Sequence, residues 1–219
     1  MSHRPFKERI YPEFARVAAA LASDRRLELI DILAQSPRHV EALADETEMS
    51  VANVSQHLQA LKRARLVETE REGTRIVYRL AGDRVLELWL ALRSLAESRL
   101  AEVPELRREF AVPGAEGAEL PRDELQRLIT KNGALVIDVR PADEFQHGHL
   151  PGAVSLPVAD LPQHIDSLPR DKPIVAYCRG AYCLFADEAV ALLRRHGFDA
   201  HRLEGGWPEW RAEKRPVAS

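Results

Sequence analysis

Sulfur is scarce in this chain. Its 219 residues include two cysteines, Cys178 and Cys183, and both fall within one six-residue stretch. So few thiols leave no room for a disulfide framework, and two alone make a poor zinc site, which normally takes four ligands. No metal and no cofactor is expected. Long apolar runs are lacking too: nothing approaches the roughly 20 residues of a membrane helix. Met1-Ser2-His3-Arg4-Pro5-Phe6-Lys7-Glu8-Arg9 has no signal-peptide core, so the expected setting is the cytoplasm, where cysteines are reactive or reduced and no membrane is a partner. An excess of either charge is also missing, with a net of −3. Residues 1–100 hold 16 Lys and Arg against 15 Asp and Glu, and the remainder 15 against 19. Any nucleic-acid surface must therefore be local.

What is present divides in two. The first hundred residues read as mainly helical. Asp24 is placed to cap a helix that Ser36-Pro37 ends, a short helix follows over 39–47, and Ser50 is placed to cap another over 51–64. Two short helices joined by a tight turn outline a helix-turn-helix. Leu66–Glu70 and Arg75–Leu80 then read as strands around Arg71-Glu72-Gly73-Thr74, a hairpin wing. A helix over 84–100 carries Val85, Leu88, Trp89, Leu92, Leu95, Ala96 and Leu100 on one side, a stripe suited to a dimer seam. Residues 1–110 form the first domain on this reading, 111–117 a Pro- and Gly-bearing linker, and 118–219 the second domain. In the last, buried-strand runs at 135–139 and 174–177 alternate with helical patterns at 122–131 and 184–196. That is an α/β unit with a parallel central sheet.

Along helix 51–64, Val54, Leu58 and Leu61 share one side, while Ala52, Asn53, Gln56, Gln59 and Arg63 share the other. Asn and Gln can pair with adenine edges, and Arg serves phosphate or guanine. Arg71 and Arg75 sit at the wing tip. Ser50–Leu61, Ala64-Arg65-Leu66-Val67 and Arg71–Leu80 resemble the arsenic-repressor type of winged helix-turn-helix regulator. The resemblance implies a homodimer on a palindromic double-stranded operator, with Ser50, Ala52, Asn53, Ser55, Gln56, Gln59, Arg63, Arg71 and Arg75 as candidate DNA residues. The chain departs from metal-sensing members in having no cysteine before 178 and no histidine on the last helix of this half, so a sensor is expected elsewhere.

Ile137–Ala153, Tyr177-Cys178-Arg179-Gly180 and Leu203–Trp210 resemble the rhodanese family, which implies a small α/β fold and a cysteine, here Cys178, that accepts sulfane sulfur as a persulfide. The residues alone point the same way. A loop curling from strand to helix gathers backbone N–H groups, the helix start adds positive character, and Arg179 adds a cation. All should depress the Cys178 thiol and make it the faster to alkylate. The active-site loop is then Arg179, Gly180, Ala181, Tyr182 and Cys183. Phosphatase relatives place Arg six positions after the cysteine, where this chain has Leu184, which disfavours phosphate and arsenate chemistry.

Cys183 is open to three readings: a small residue opening a helix, a resolving thiol, or with Cys178 a ligand for an As(III)-type inducer. His147 and His149 fall in a structural segment, with acid–base catalysis as the lesser reading, Asp138 and Arg140 read as scaffold, and Trp207 and Trp210 as the wall of the last helix. The leading expectation is a repressor whose rhodanese-like domain detects sulfane sulfur or thiol oxidation through Cys178 and Cys183, with small sulfur species or thiols as partners. The alternatives are a sulfurtransferase localised by its DNA-binding half, and a docking module with vestigial chemistry.

Overall fold

The computed structural model describes residues 4–219, in two units: one ends at Leu92 and the other runs from Arg93 to Ser219. The first contains α1 (Arg4–Leu21), α2 (Asp24–Leu33), β1 (Arg38–His39), α3 (Val40–Glu46), α4 (Val51–Arg63), β2 (Val67–Glu72), β3 (Arg75–Leu80) and the opening turns of α5 (Asp83–Arg99). Ser23, not Asp24, occupies the cap position of α2. Asp24 is the first helical residue, where its carboxylate still favours the positive helix end. Thr47 closes α3 by donating to the Leu43 carbonyl at 2.6 Å, and Glu48 turns the chain with φ +52°.

Ser50 does cap α4, its Oγ accepting from Asn53 N at 3.3 Å, a bond of the kind that contributes about 1 kcal/mol. Val54, Leu58 and Leu61 are fully buried among Leu29, Ile30 and Leu43. The wing forms as the alternation requires, β2 pairing antiparallel with β3 up to Glu72↔Arg75. The intervening turn uses the left-handed freedom of Gly73 (φ +62°).

Two elements of the first unit escaped the sequence pattern. β1 pairs with β3 through Arg38↔Tyr78 and His39↔Val77, completing a three-stranded sheet. A two-residue strand has no period, so the helix read over 39–47 begins only at Val40. The other is α1, an 18-residue helix that leaves Phe6, Tyr11 and Phe14 exposed.

The second unit continues with α6 (Glu102–Glu109), β4 (Glu119–Leu120), α7 (Arg122–Thr130), β5 (Leu135–Asp138), α8 (Ala142–His147), β6 (Val154–Ser155), α9 (Leu161–His164), β7 (Ile174–Tyr177), α10 (Phe185–Arg195), β8 (Ala200–Leu203) and α11 (Trp207–Ala212). Its five strands form one parallel sheet in the order β4-β8-β7-β5-β6. β7 lies mid-sheet and is buried throughout, which is why it reads as an unbroken apolar run. Alternation splits it: Ile174 and Ala176 join a core with Ala186, Ala189, Val190 and Leu193 of α10, while Val175 and Tyr177 join another with Trp207 and Trp210 of α11. Cys178, next in the alternation, enters the α10 core.

The stretch after α6 is laid on α10. Gly114 would place a Cβ 3.6 Å from that of Ala191, and Arg194 Nη1 donates to the Glu116 carbonyl at 2.9 Å.

Candidate functional site

In the first unit, α4 presents what its spacing promised. Ala52, Asn53, Gln56, Gln59 and Arg63 are exposed opposite the buried Val54, Leu58 and Leu61, and Ser55 is half-buried. The Ser50 hydroxyl is engaged in the cap. Lys62, passed over in the sequence, donates to Thr69 Oγ1 at 2.8 Å and ties α4 to β2. At the wing tip Arg71 donates from Nε to its own turn, to the Gly73 carbonyl at 3.1 Å, while Arg75 is exposed at the start of β3. The arrangement offers an amide-bearing helix face, with cations at its end and on a neighbouring hairpin.

In the second unit, the loop from Cys178 to Cys183 joins the end of β7 to α10 by way of Leu184. Its start is fixed from below. Tyr177, the residue before Cys178, donates its hydroxyl to Asp138 Oδ2, and Arg140 Nη2 holds the same carboxylate at 2.6 Å. Asp138 and Arg140 are completely buried. Burial and the Asp138 charge keep the Tyr177 phenol protonated well beyond its ordinary range. From the side comes the start of α11: Trp207 N donates to the Cys178 carbonyl at 3.0 Å. A Cβ on Gly206 would collide with that carbonyl oxygen and come within 2.5 Å of Gly180 N. Only glycine fits there.

The thiols differ in surroundings. Cys178 is 1% exposed. Its Sγ donates to the Cys183 carbonyl at 3.3 Å and lies 3.8 Å from the Gly180 carbonyl. Burial, reinforced by the neighbouring Cys183 side chain, pushes this thiol well above the ordinary range. Cys183 is half-buried and shifts the other way, lowered chiefly by a hydrogen bond from Cys178, against burial and with help from the N–H groups of Phe185 and Arg179 and the Arg179 charge. The expected order is thus reversed, because at Cys178 burial outweighs the Gly180 and Ala186 backbone groups, while at Cys183 the bond from Cys178, the Phe185 and Arg179 N–H groups and the Arg179 charge outweigh it. Of the two thiols, Cys183 is therefore the more acidic.

Arg179 does not stand over Cys178 as its position suggested. Its guanidinium forks onto the buried Glu144 of α8, with Nη2 on Oε1 and Nε 3.2 Å from Oε2. Glu144 lies within the Ile137–Ala153 segment, and nothing in the sequence around it assigns it this partner. The histidines stay local: His147 Nδ1 lies 2.7 Å from the Asp143 carbonyl, and His149 stacks on Phe145 with ring centres 3.8 Å apart. Neither is brought to the loop. Trp207 and Trp210 are buried in α11, as read. Among the described residues no helix is long and apolar enough to cross a membrane.

Comparison with known proteins assigns both units. Residues 23–69 match the family model "Bacterial regulatory protein, arsR family", and residues 121–213 match the rhodanese-like domain. The HTH-type transcriptional regulator Rv0324 of Mycobacterium tuberculosis is 43% identical over 211 residues, 96% of this chain and 92% of that protein. The thiosulfate sulfurtransferase GlpE of Pseudomonas savastanoi is 34% identical over 94 residues, 42% of this chain and 86% of that one. Among solved structures, the homodimeric winged helix-turn-helix domain Mb0332 (fragment 1-100) of Mycobacterium bovis is 44% identical, covering 47% of this chain and 93% of that chain at a TM-score of 0.43. With the amide-bearing helix in one unit and the cysteine loop in the other, the chain belongs to the ArsR-type transcriptional regulators and carries a C-terminal rhodanese-like domain.

Proposed function

We propose that this regulator is a dimer on a palindromic operator and changes its grip on DNA when sulfane sulfur or an oxidant reaches Cys178 and Cys183. The pairing of the two thiols carries the reading: one buried, protonated cysteine donates into a loop that ends in a second, more acidic one. The buried thiol is the sulfur acceptor. Its sulfur attacks the outer sulfur of thiosulfate, the bond to the sulfite sulfur breaks, and sulfite leaves. The thiol proton passes to the Cys183 thiolate, so Cys178 carries a persulfide anion. Cys183 returns this proton to the outer sulfur of the persulfide and, as the thiolate, attacks the inner sulfur. A Cys178–Cys183 disulfide forms and hydrosulfide leaves with the remaining proton. The two thiols are oxidised and the sulfane sulfur is reduced, with no further reagent.

The dimer is supported by apolar surface with no other use. Leu88, Leu95 and Leu100 in and just past α5, and Phe6, Tyr11 and Phe14 on α1, are exposed in the single chain. A second copy would cover them. Two α4 helices related by a two-fold axis then enter successive major grooves about 34–36 Å apart.

The test is operator binding by full-length wild type, Cys178→Ser and Cys183→Ser, each reduced and after polysulfide, with mass spectrometry of the same samples. Wild type should gain sulfur on Cys178, or lose the two thiol hydrogens as the disulfide, and its affinity should change. If both serine variants respond as wild type does, the cysteines are not the switch. Turnover of thiosulfate with no change in DNA affinity would favour the sulfurtransferase reading instead, which the intact Cys178 loop also supports.

A further inference from the structure

Two residues of the cysteine loop are held by side chains from elsewhere in the second unit. Gly180, at φ +132°, lies against Glu209 of α11: a Cβ there would stand 3.3 and 3.4 Å from the two carboxylate oxygens and 3.5 Å from Arg93 Nη1. Arg93 Nη2 donates to Glu209 Oε1 at 2.7 Å, with the side chains only 10% and 16% exposed. The same guanidinium lies 5.0 Å from the centre of the Tyr182 ring, within cation–π range. Tyr182 donates its hydroxyl to Glu97 Oε1 at 2.7 Å. Arg93 and Glu97, four residues apart, share one face of α5. Ala181, Tyr182 and Leu184 also border a cavity of about 680 Å³ whose far wall is α6 and the segment after it. Open space on that flank gives the loop room to shift.

We propose that Arg93 and Glu97, acting with Glu209, are positioning residues of the sulfur site: they fix Gly180 and Tyr182, and through them the spacing of Cys178 and Cys183. The proposal rests on the reading of those cysteines as the reactive pair. It extends the site to α5, which neither family match reaches, since these end at 69 and begin at 121. The chemistry follows from charge. Arg93 neutralises Glu209 beside the loop. Without Arg93, an uncompensated carboxylate faces Gly180 and disfavours a thiolate nearby. Other charged groups about the loop are Arg179 with Glu144, Glu97 on the Tyr182 hydroxyl, Arg107 facing Tyr182, and Asp187 with Arg202 at the border of the same cavity.

The experiment is iodoacetamide alkylation of the reduced full-length protein, read at each cysteine by mass spectrometry from about pH 5 to 10. Arg93→Ala should move the midpoint upward, Arg93→Lys should hold it near wild type, and Glu209→Gln in the Arg93→Ala background should bring it back. Tyr182→Phe, which keeps the ring and loses the bond to Glu97, should change the Cys183 rate several-fold. An unmoved midpoint in Arg93→Ala, a shift that Glu209→Gln leaves in place, or a Tyr182→Phe protein that alkylates like wild type overturns the proposal. If Arg93→Ala does not fold, Tyr182→Phe and Glu97→Gln decide it, and wild-type rates in both overturn it. Alkylation needs no sulfur donor. A wild type that takes up no sulfur would therefore end the functional reading above and leave this test standing.

Discussion

The α4 face and the cysteine loop solve opposite problems. On α4 the working groups stand in water, and the buried side of the helix holds only Val54, Leu58 and Leu61. Around the loop the proposed acceptor is itself buried, and charges lie in or beside the core with it: Asp138 and Arg140 fully buried, Glu144 buried under Arg179, and Arg93 with Glu209 largely covered. A solvated reading face can exchange residues at small cost to the fold, so its variants report on recognition. A buried site is held by ion pairs whose disruption typically costs about 3–5 kcal/mol. Its variants therefore report on structure and chemistry together, and need controls that separate the two.

The largest effect should come at the buried pole. Cys178→Ser removes the proposed acceptor, and mass spectrometry after polysulfide should find the sulfur adduct absent, with a thermal melt of the same variant to separate chemistry from the cost of a buried hydroxyl. Retained sulfur on the variant would move the site to Cys183. At the solvated pole, Asn53→Ala or Gln56→Ala should reduce discrimination between operator sequences by about 1–3 kcal/mol, or roughly five- to 150-fold, in competition binding. Equal losses on all sequences would show that these amides do not read bases. Gly206→Ala tests whether the loop tolerates pressure from α11: overpacking of this kind costs about 1–3 kcal/mol, and each kcal/mol should lower Tm by about 2–4 °C. A Tm equal to wild type would mean that the start of α11 yields. The smallest change is expected at the wing, where Arg75→Ala should weaken all DNA alike and lower the salt-dependence slope by about 1.

A pH series ties the poles of the loop together. Cys183 is lowered and Cys178 raised, so as pH falls below the free-thiol value of about 8.5 Cys183 should keep alkylating while Cys178 stops. Preferential alkylation of Cys178 near neutrality would restore the order expected from its position at a strand end.

Local patterns were legible and long-range pairings were not. The period of Val54, Leu58 and Leu61 and the run Ile174–Tyr177 each specify their element, because burial acts on neighbours along one segment. Cys178 was found the same way, from a strand and a helix meeting. The depth of that cysteine was not, since it depends on α10 closing over it. Nor could the sequence say that Arg179 turns to Glu144, 35 residues away, or that Glu209 meets Arg93, 116 residues away. β1 was missed because two residues carry no period, and α1 because its apolar face is left uncovered in the single chain.

The stretch from Ala111 to Gly117 bears on how the protein would meet a protease. Its proline and glycines mark it as the place to cut. Yet Gly114 N is bonded to Glu116 Oε2, the Glu116 carbonyl is taken by Arg194, and Gly114 rests on Ala191. A protease needs several residues of extended, detachable backbone. Cleavage here must wait for that strip to peel from α10, so limited digestion should be slow, and its rate would report how often the strip lifts.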